Sequence, residues 1–535
     1  MRVKEFACLS ASGMRGHVPR TENTLISASY TNTALRSGRT RDNQPCLRRS
    51  GYQGGAPAPR QGQAVAMACC LALCLTAACT PTTEPEIPSD GPLSVLLLVI
   101  DTVRADRLGF YGHTRPSSPN LDTRAHNWVV FDAAMAPAPF TMPSVAALMT
   151  GQYPDRTGVV NHSGDSSLTY CEAPTMAELA RKSGRRTAGV VTNPWLTNKM
   201  MGFSRGFDAF GGKVPKRTPK PDAKAVTTGL LGQLDEIGDA PFMMWGHYLD
   251  PHMPYRPLLE DAQALGLRYA TSAVIRDFTD HKHDKQTIIF KAPYREGILA
   301  TTRLLYEAEI RRVDREIDRL LDGLAERGRD KDTVVILVSD HGESMGEHQL
   351  WFAHDFTLYE ELIHVALAVR APGIEGHHVR EPVSLIDVMP SVCGWLDLDC
   401  RHKMDGVALP LRGQGDTKRT LFAASAPWRP RYDRWHRLEV PGLAGRWRAA
   451  RQGNLKLIKI PGSEHATFEA YDLGTDPAEL NNLWPAQKFI RLLKNLQDWE
   501  REMQDIRPHS LATFQLDEQT RQDLEALGYL DDGRP

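Results

Sequence analysis

The segment "LSVLLLVIDT" (93–102) is an unbroken apolar run that ends on an aspartate. Apolarity without alternation marks a strand buried on both faces, as in parallel sheets, here with a carboxylate at its C-terminal end. "DTVVILVSDHGE" (332–343) repeats the design, with Asp340 and His341 following the run. "RTAGVVT" (186–192) and "PFMMWGHYLDPH" (241–252) are further strand candidates. Helical patterns lie between them; within 296–327, "LLYEAEIRRVDREIDRLLDGLAE" keeps its apolar positions at a 3.6-residue period. Strands alternating with helices predict an α/β fold, a parallel sheet with helices on both faces. Ligands of such sheets sit beyond the C-terminal strand ends. Asp101, Asp340, His341 and His252 all fall at such ends.

After about residue 410 the pattern shortens. "WRAARQGNLKLIKI" and "FEAYDLGTD" read as antiparallel strands around turns, and a C-terminal amphipathic helix is expected over 485–505. A catalytic domain over 93–410 and a smaller α+β domain over 411–535 are therefore expected, in keeping with a length of 535 residues.

The first 92 residues differ in kind. Residues 1–66 hold nine Arg and one Lys against three acids, a net +7, and show neither helical nor strand period. They read as a disordered or mistranslated extension. The apolar run 64–79 is too short to span a bilayer but suits a signal segment. Small residues before Cys79 resemble a lipoprotein cleavage box, and a Pro- and Thr-rich linker follows over 80–92. The expectation is an exported protein, periplasmic or at the cell surface, either lipid-anchored at Cys79 or cleaved nearby. Six of nine cysteines lie in this leader. Of the others, Cys393 and Cys400 either pair or remain buried thiols. The whole chain has a net charge of −1, which argues against nucleic acid as a partner.

Two strand ends spelling "ID" and "SDH" suit a divalent cation, with a hydroxyl completing its shell. Carboxylates alone favour Ca²⁺ or Mg²⁺, and His341 shifts the preference toward Mn²⁺ or Zn²⁺. One divalent ion is expected, Ca²⁺ or Mn²⁺, with Zn²⁺ as the alternative.

With these residues in place, the chain from about 93 to 530 resembles the sulfatase family of the alkaline-phosphatase-like superfamily, which implies a mixed, mostly parallel sheet flanked by helices. "VIDTVRADRLGFYGH" resembles its opening metal motif and "TMPSVAALMTGQYP" its nucleophile motif. "HYLDPHMPY", "VSDHGESMGEHQLW", "TLYEELIHVALAVRAPG", "SLIDVMPSV" and "AYDLGTDPAELNNL" follow in the family's order. The resemblance implies Asp101, Asp340 and His341 as metal ligands. It places Thr141 as a nucleophile that also contacts the metal. His252 and His354 match positions that hold the substrate's anionic oxygens or protonate the leaving group. His247 reads as structural. Asn193 either reaches the site or makes a turn, and Asp250 orders His252 or its loop. Asp250, His252 and His354 could alternatively build a second metal site. Tyr306 and Asp314 read as packing or salt-bridge residues.

The family's nucleophile motif runs Cys or Ser, then x-P-S-R, whereas here Thr141 leads and Val145 ends it. Thr157 also replaces a usual histidine. Sulfatases oxidise Cys or Ser to formylglycine. Threonine is a secondary alcohol whose oxidation gives a poorly hydrated ketone, so formylglycine is not expected. What remains is attack by an unmodified Thr141 on a sulfate or phosphate ester of a small molecule, glycan or lipid. A phosphoryl-group transferase or phosphodiesterase at the cell envelope is the alternative, followed by a non-catalytic sulfatase-like binding protein. Thr141 also reads as an N-cap, Pro143 fits the first helical turn, and Ser144 as a cap or supporting hydroxyl.

Overall fold

The apolar run at the start of the body forms strand β1, Ser94–Ile100, every residue of it buried. The protein is described by a computed structural model covering residues 87–89, 91–160, 173–197, 201–211, 222–267, 296–413, 415–426, 445–462, 465–504, 518 and 521–522. The extension, signal-like segment and Cys79 lie outside the described residues, as does most of the linker. Residues Pro81–Pro535 form one compact unit.

The strands in chain order are β1, β2 (Val129–Phe131), β3 (Ala134–Met135), β4 (Arg186–Val191), β5 (Ala209–Phe210), β6 (Phe242–Tyr248), β7 (Thr333–Ser339), β8 (Ser344–Met345), β9 (Trp351–Ala353), β10 (Leu367–Arg370), β11 (His377–Val379) and β12 (Val383–Ser384). Eight of them make the central sheet, in the order β11-β2-β10-β7-β1-β6-β4-β5. β1 lies parallel to both β6 and β7, and β4 to both β5 and β6. β10 runs antiparallel to β7 and β2, so the sheet is mixed and mostly parallel. The four strands read from the sequence are its centre, where both faces are covered and apolarity is continuous.

One face packs the long helix Glu296–Glu326 and the helix Ala223–Ile237, through Val226, Leu230, Ile310, Val313, Ile317 and Leu320 against Leu96, Leu98, Met244 and Leu337. The other face buries the helix Thr141–Thr150 and continues into the C-terminal sheet. That sheet is antiparallel, β13 (Leu421–Ala424), β14 (Arg448–Gln452), β15 (Leu455–Ile460) and β16 (Thr467–Asp472). The helix Ile490–Gln504 lays Leu492, Leu496, Trp499 and Met503 on it. Cys393 and Cys400 form a disulfide at the end of the helix Val388–Trp395. No described helix is long and apolar enough to cross a membrane.

Candidate metal and nucleophile site

Register decides what meets at the sheet edge. Ile100 pairs with Ser339 of β7 and with Tyr248 of β6, so the residues that follow these strands emerge side by side. Asp101 follows β1, and Asp340 and His341 follow β7, all completely buried. His341 Nε2 lies 3.6 Å from Asp101 Oδ1 and 3.8 Å from Asp340 Oδ2. The Thr141 hydroxyl is 3.3 Å from the same nitrogen. His341 Nδ1 faces the Gly342 carbonyl at 2.9 Å, which can only accept, so the neutral ring carries its proton there and turns the Nε2 lone pair to Thr141 and the carboxylates. The structure thus brings together Asp101, Thr141, Asp340 and His341.

Each carboxylate is pinned by one oxygen and leaves the other bare. Asp340 Oδ1 accepts from the Thr102 and His341 amides at 3.2 and 2.9 Å. Asp101 Oδ2 accepts from Asn193 Nδ2 at 2.9 Å. Asp101 Oδ1 and Asp340 Oδ2 are buried without a hydrogen-bond partner. Bare buried carboxylate oxygens are costly unless a cation meets them. Burial, then Asp340, pushes Asp101 up to about 7, and burial pushes Asp340 to about 7. Two buried acids aimed at one point beside an imidazole lone pair fit a divalent cation.

His247 joins this group, a correction to its reading as structural. It pairs with Val99 in the sheet and sits with Nε2 3.7 Å from Asp101 Oδ2. Ligand atoms of Asp101, His247 and Asp340 all lie within 4.8 Å of one another. Both ring nitrogens of His247 lack a hydrogen-bond partner, and burial, then His341, holds its pKa down at about 3. Asn193 is likewise no mere turn residue. Its Oδ1 accepts from Trp195 N at 3.0 Å, which orients the amide so that Nδ2 donates to Asp101.

Thr141 is not the helix cap. Phe140 is the N-cap, with extended backbone and no side-chain capping bond, and Thr141 is the first helical residue. Its hydroxyl stands at the helix N-terminus, where unpaired amides and the dipole favour an anion. Ser144, one turn on, donates to the Asp340 carbonyl at 2.6 Å and fastens this helix to the β7 end. Val145 is completely buried in the core, and Thr157 donates to the Pro154 carbonyl at 3.0 Å, so both departures from the motif are absorbed structurally.

His252 and His354 complete the group. Their rings lie 5.2 Å apart, and His354 is 4.7 Å from the His341 ring. His252 Nδ1 is 2.6 Å from the Met253 carbonyl. Burial opposes a charge on His354, but Asp355 and the Glu343 hydrogen bond outweigh it and push it up to about 9. Asp250 Oδ1 accepts from Ala223 N at 3.0 Å at the start of the helix Ala223–Ile237.

The backbone here is held under strain. Thr102, β-branched, has φ 59°. Its carbonyl accepts from Tyr306 at 2.8 Å and its amide donates to Asp340. Such a conformation persists only where the surroundings impose it. Gly342 is needed for proximity, because a Cβ there would lie 2.0 Å from the Glu361 carbonyl oxygen. Gly342→Ala must shift either His341 or the 361 backbone. We expect a loss of about 1–3 kcal/mol together with weakened metal binding, read by thermal melts and metal titration.

The sulfatase family model matches residues 94–398, and that of the N-sulphoglucosamine sulphohydrolase C-terminal region matches 346–507. The chain is 22% identical to the Δ4,5-hexuronate-2-O-sulfatase of Bacteroides thetaiotaomicron, over 74% of this chain and 86% of that one. It is 24% identical to the choline-sulfatase of Rhizobium meliloti, over 74% and 82%. Its fold is shared with the phosphonate monoester hydrolase of Agrobacterium radiobacter, at a TM-score of 0.57 and 21% identity over 77% and 95% of the two chains. With the model matching more than half its length and the acids, histidines and hydroxyl gathered at one sheet edge, the chain belongs to the sulfatase family and is a hydrolase of sulfuric or phosphoric esters.

Proposed function

We propose that the protein is an exported, metal-dependent hydrolase of sulfate or phosphate esters that uses an unmodified Thr141 as nucleophile. The observation that carries this reading is the Thr141 hydroxyl, 3.3 Å from His341 Nε2 at a helix N-terminus. Asp101, Asp340 and His341, with His247 beside them, would hold the cation. When bound it would lower the pKa of the hydroxyl and neutralise anionic oxygen. Ca²⁺ or Mn²⁺ suits the donor set, with Zn²⁺ as the competitor.

Thr141 Oγ1 attacks sulfur or phosphorus in line after giving its proton to solvent. His252 and His354 hold the anionic oxygens, and His354 Nε2–H passes its proton to the departing alkoxide. Water then attacks the Thr ester, giving a proton back to His354, and Thr141 leaves as the alkoxide. A secondary alcohol as nucleophile requires two attacks at one centre, which phosphorus accommodates readily. That favours a phosphoryl-group transferase as the second reading, in which an acceptor alcohol takes the place of water.

Sulfated sugars are the substrate class named for the Bacteroides relative. We extend that class to this chain as sulfated or phosphorylated glycans, small molecules or lipids. Export rests on the 64–79 run, and the Cys393–Cys400 disulfide supports an oxidising compartment. Lipid attachment at Cys79 belongs to the same reading.

A panel of aryl sulfate, phosphate monoester, phosphate diester and phosphonate ester, each with Ca²⁺, Mn²⁺ and Zn²⁺, tests this. Turnover of at least one ester is expected, and none with any metal would leave only a binding role. Mass spectrometry of the 138–154 peptide should show Thr141 intact, and loss of two hydrogens there would refute the unmodified nucleophile.

A further inference from the structure

Glu343 takes part in none of the steps above, yet it is the carboxylate on which the histidine side of the site converges. Its side chain is completely inaccessible to solvent. Oε1 lies 3.0 Å from His354 Nδ1. Oε2 accepts from the Tyr255 hydroxyl at 3.1 Å. Tyr255 belongs to the loop that carries His252, three residues earlier. The Glu343 carbonyl in turn accepts from Arg104 Nη1 at 3.2 Å, and Arg104 is anchored by Asp106 and Glu347 at 2.8 and 2.9 Å. One buried side chain therefore ties the segment bearing His354 to the loop bearing His252, and its own backbone is fastened to the strand end of Asp101.

The segment bearing His354 needs such a tie. Phe352 and Asp355, on either side of the histidine, have φ 51° and 88°, conformations that L residues hold only under constraint. Tyr255 packs on Tyr306 and Phe352, with ring centroids 5.6 and 6.2 Å away, so its hydroxyl cannot swing off without unpacking both. With Nδ1 engaged by Glu343, Nε2 is turned to the other side of the ring, 3.7 Å from Asp355 Oδ1.

We propose that Glu343 is the positioning residue for both histidines, and that it fixes His354 with Nε2 toward the leaving-group oxygen. This rests on the ester-hydrolase reading, and it adds a residue that acts only through others. Glu343 neither gives nor takes a proton. The step it serves is the one in which the bond from sulfur or phosphorus to the leaving oxygen breaks while the Nε2 proton of His354 moves to that oxygen.

The test compares Glu343→Ala and Glu343→Gln with the wild type. The substrates are the 4-nitrophenyl ester and an alkyl ester of whichever anion the wild type hydrolyses. Glutamine can still accept from Nδ1–H through its carbonyl and meet Tyr255 through its amide, so it should stay within several-fold of wild type on both. Alanine should lose about 10²-fold in kcat on the alkyl ester, whose poor leaving group needs the proton, and less than about 10-fold on the nitrophenyl ester. Bound-metal content should barely change. Equal losses on the two esters would overturn the proposal, and so would a glutamine variant as impaired as alanine. If the alanine chain does not fold, Glu343→Leu takes its place. A wild type inert toward every ester would sink the hydrolase reading instead. In that event crystal structures of the wild type and Glu343→Ala still decide the tie: His354 and Tyr255 must be displaced, and finding them unmoved refutes it.

Discussion

Thr141→Ala abolishes turnover, by about 10⁴-fold or more, and leaves the melting temperature where it was. The two halves of this expectation come from different observations. The loss follows from the hydroxyl's place beside His341 Nε2 at the helix N-terminus, where no other described hydroxyl makes that contact. Ser144 cannot substitute, because its hydroxyl is committed to the Asp340 carbonyl. The unchanged stability follows from Thr141 being the first helical residue rather than the cap. Removing a capping hydroxyl costs about 1 kcal/mol, whereas alanine inside a helix costs nothing. Thr141→Ser keeps a hydroxyl and should retain measurable activity. Kinetics and thermal melts on the same preparations check all three. Activity surviving in the alanine variant would remove Thr141 from the chemistry, and a fall in activity matched by a fall in melting temperature would return it to a structural role.

Metal removal is the second large effect. Dialysis against a chelator should eliminate turnover, and a single divalent ion should restore it. Loading should also raise the melting temperature, since a ligand present at about 100 times its Kd stabilises the folded state by about 2.7 kcal/mol. Asp340→Asn separates affinity from folding. The amide oxygen can keep the bonds from the Thr102 and His341 amides while an NH₂ replaces the bare oxygen. Metal binding should fall below detection in titration calorimetry, yet the fold should persist.

The metal-free chain adds a sign that can be checked. Burial raises Asp101 and Asp340 from an ordinary 3.8 to about 7. A raised acid contributes its full stability below its unfolded value and loses it as pH rises through the folded one. Metal-free wild type should therefore weaken between about pH 4 and pH 8, and Asp340→Asn should weaken less. Metal-loaded wild type should not follow that decline. Coincident melts with and without metal across this range would argue against a cation at this site.

Glu343 shows how far the site extends beyond the residues that face it. The letters "SDHGE" put a carboxylate two residues beyond His341, but nothing in them says that this side chain turns back into the protein to reach His354 and Tyr255. His247 makes the same point from the other side. It sits inside a strand whose every residue is buried, so in the sequence it is indistinguishable from a packed ring. Asn193 precedes a proline, the usual setting of a turn, and only the neighbouring strand end gives its amide an acid to hold.

The sequence by itself determined the central strands, the long helix, the antiparallel C-terminal strands, and the pair of strand ends carrying Asp101, Asp340 and His341. It could do so because burial on both faces of a parallel strand, and on one face of a helix, writes a period into the chain that needs no partner to be read. That Thr141 stays unoxidised is an expectation that rests on the side chain alone. The short outer strands β2, β5 and β11, the reversal of β10, the Cys393–Cys400 pairing, and the contacts of His247, Asn193 and Glu343 were decided by tertiary structure. Each depends on which strands lie side by side and in what register, Val99 beside His247 and Ile100 beside Ser339. A hydrogen bond between residues 92 apart in the chain, as from Asn193 to Asp101, leaves no local mark in either segment.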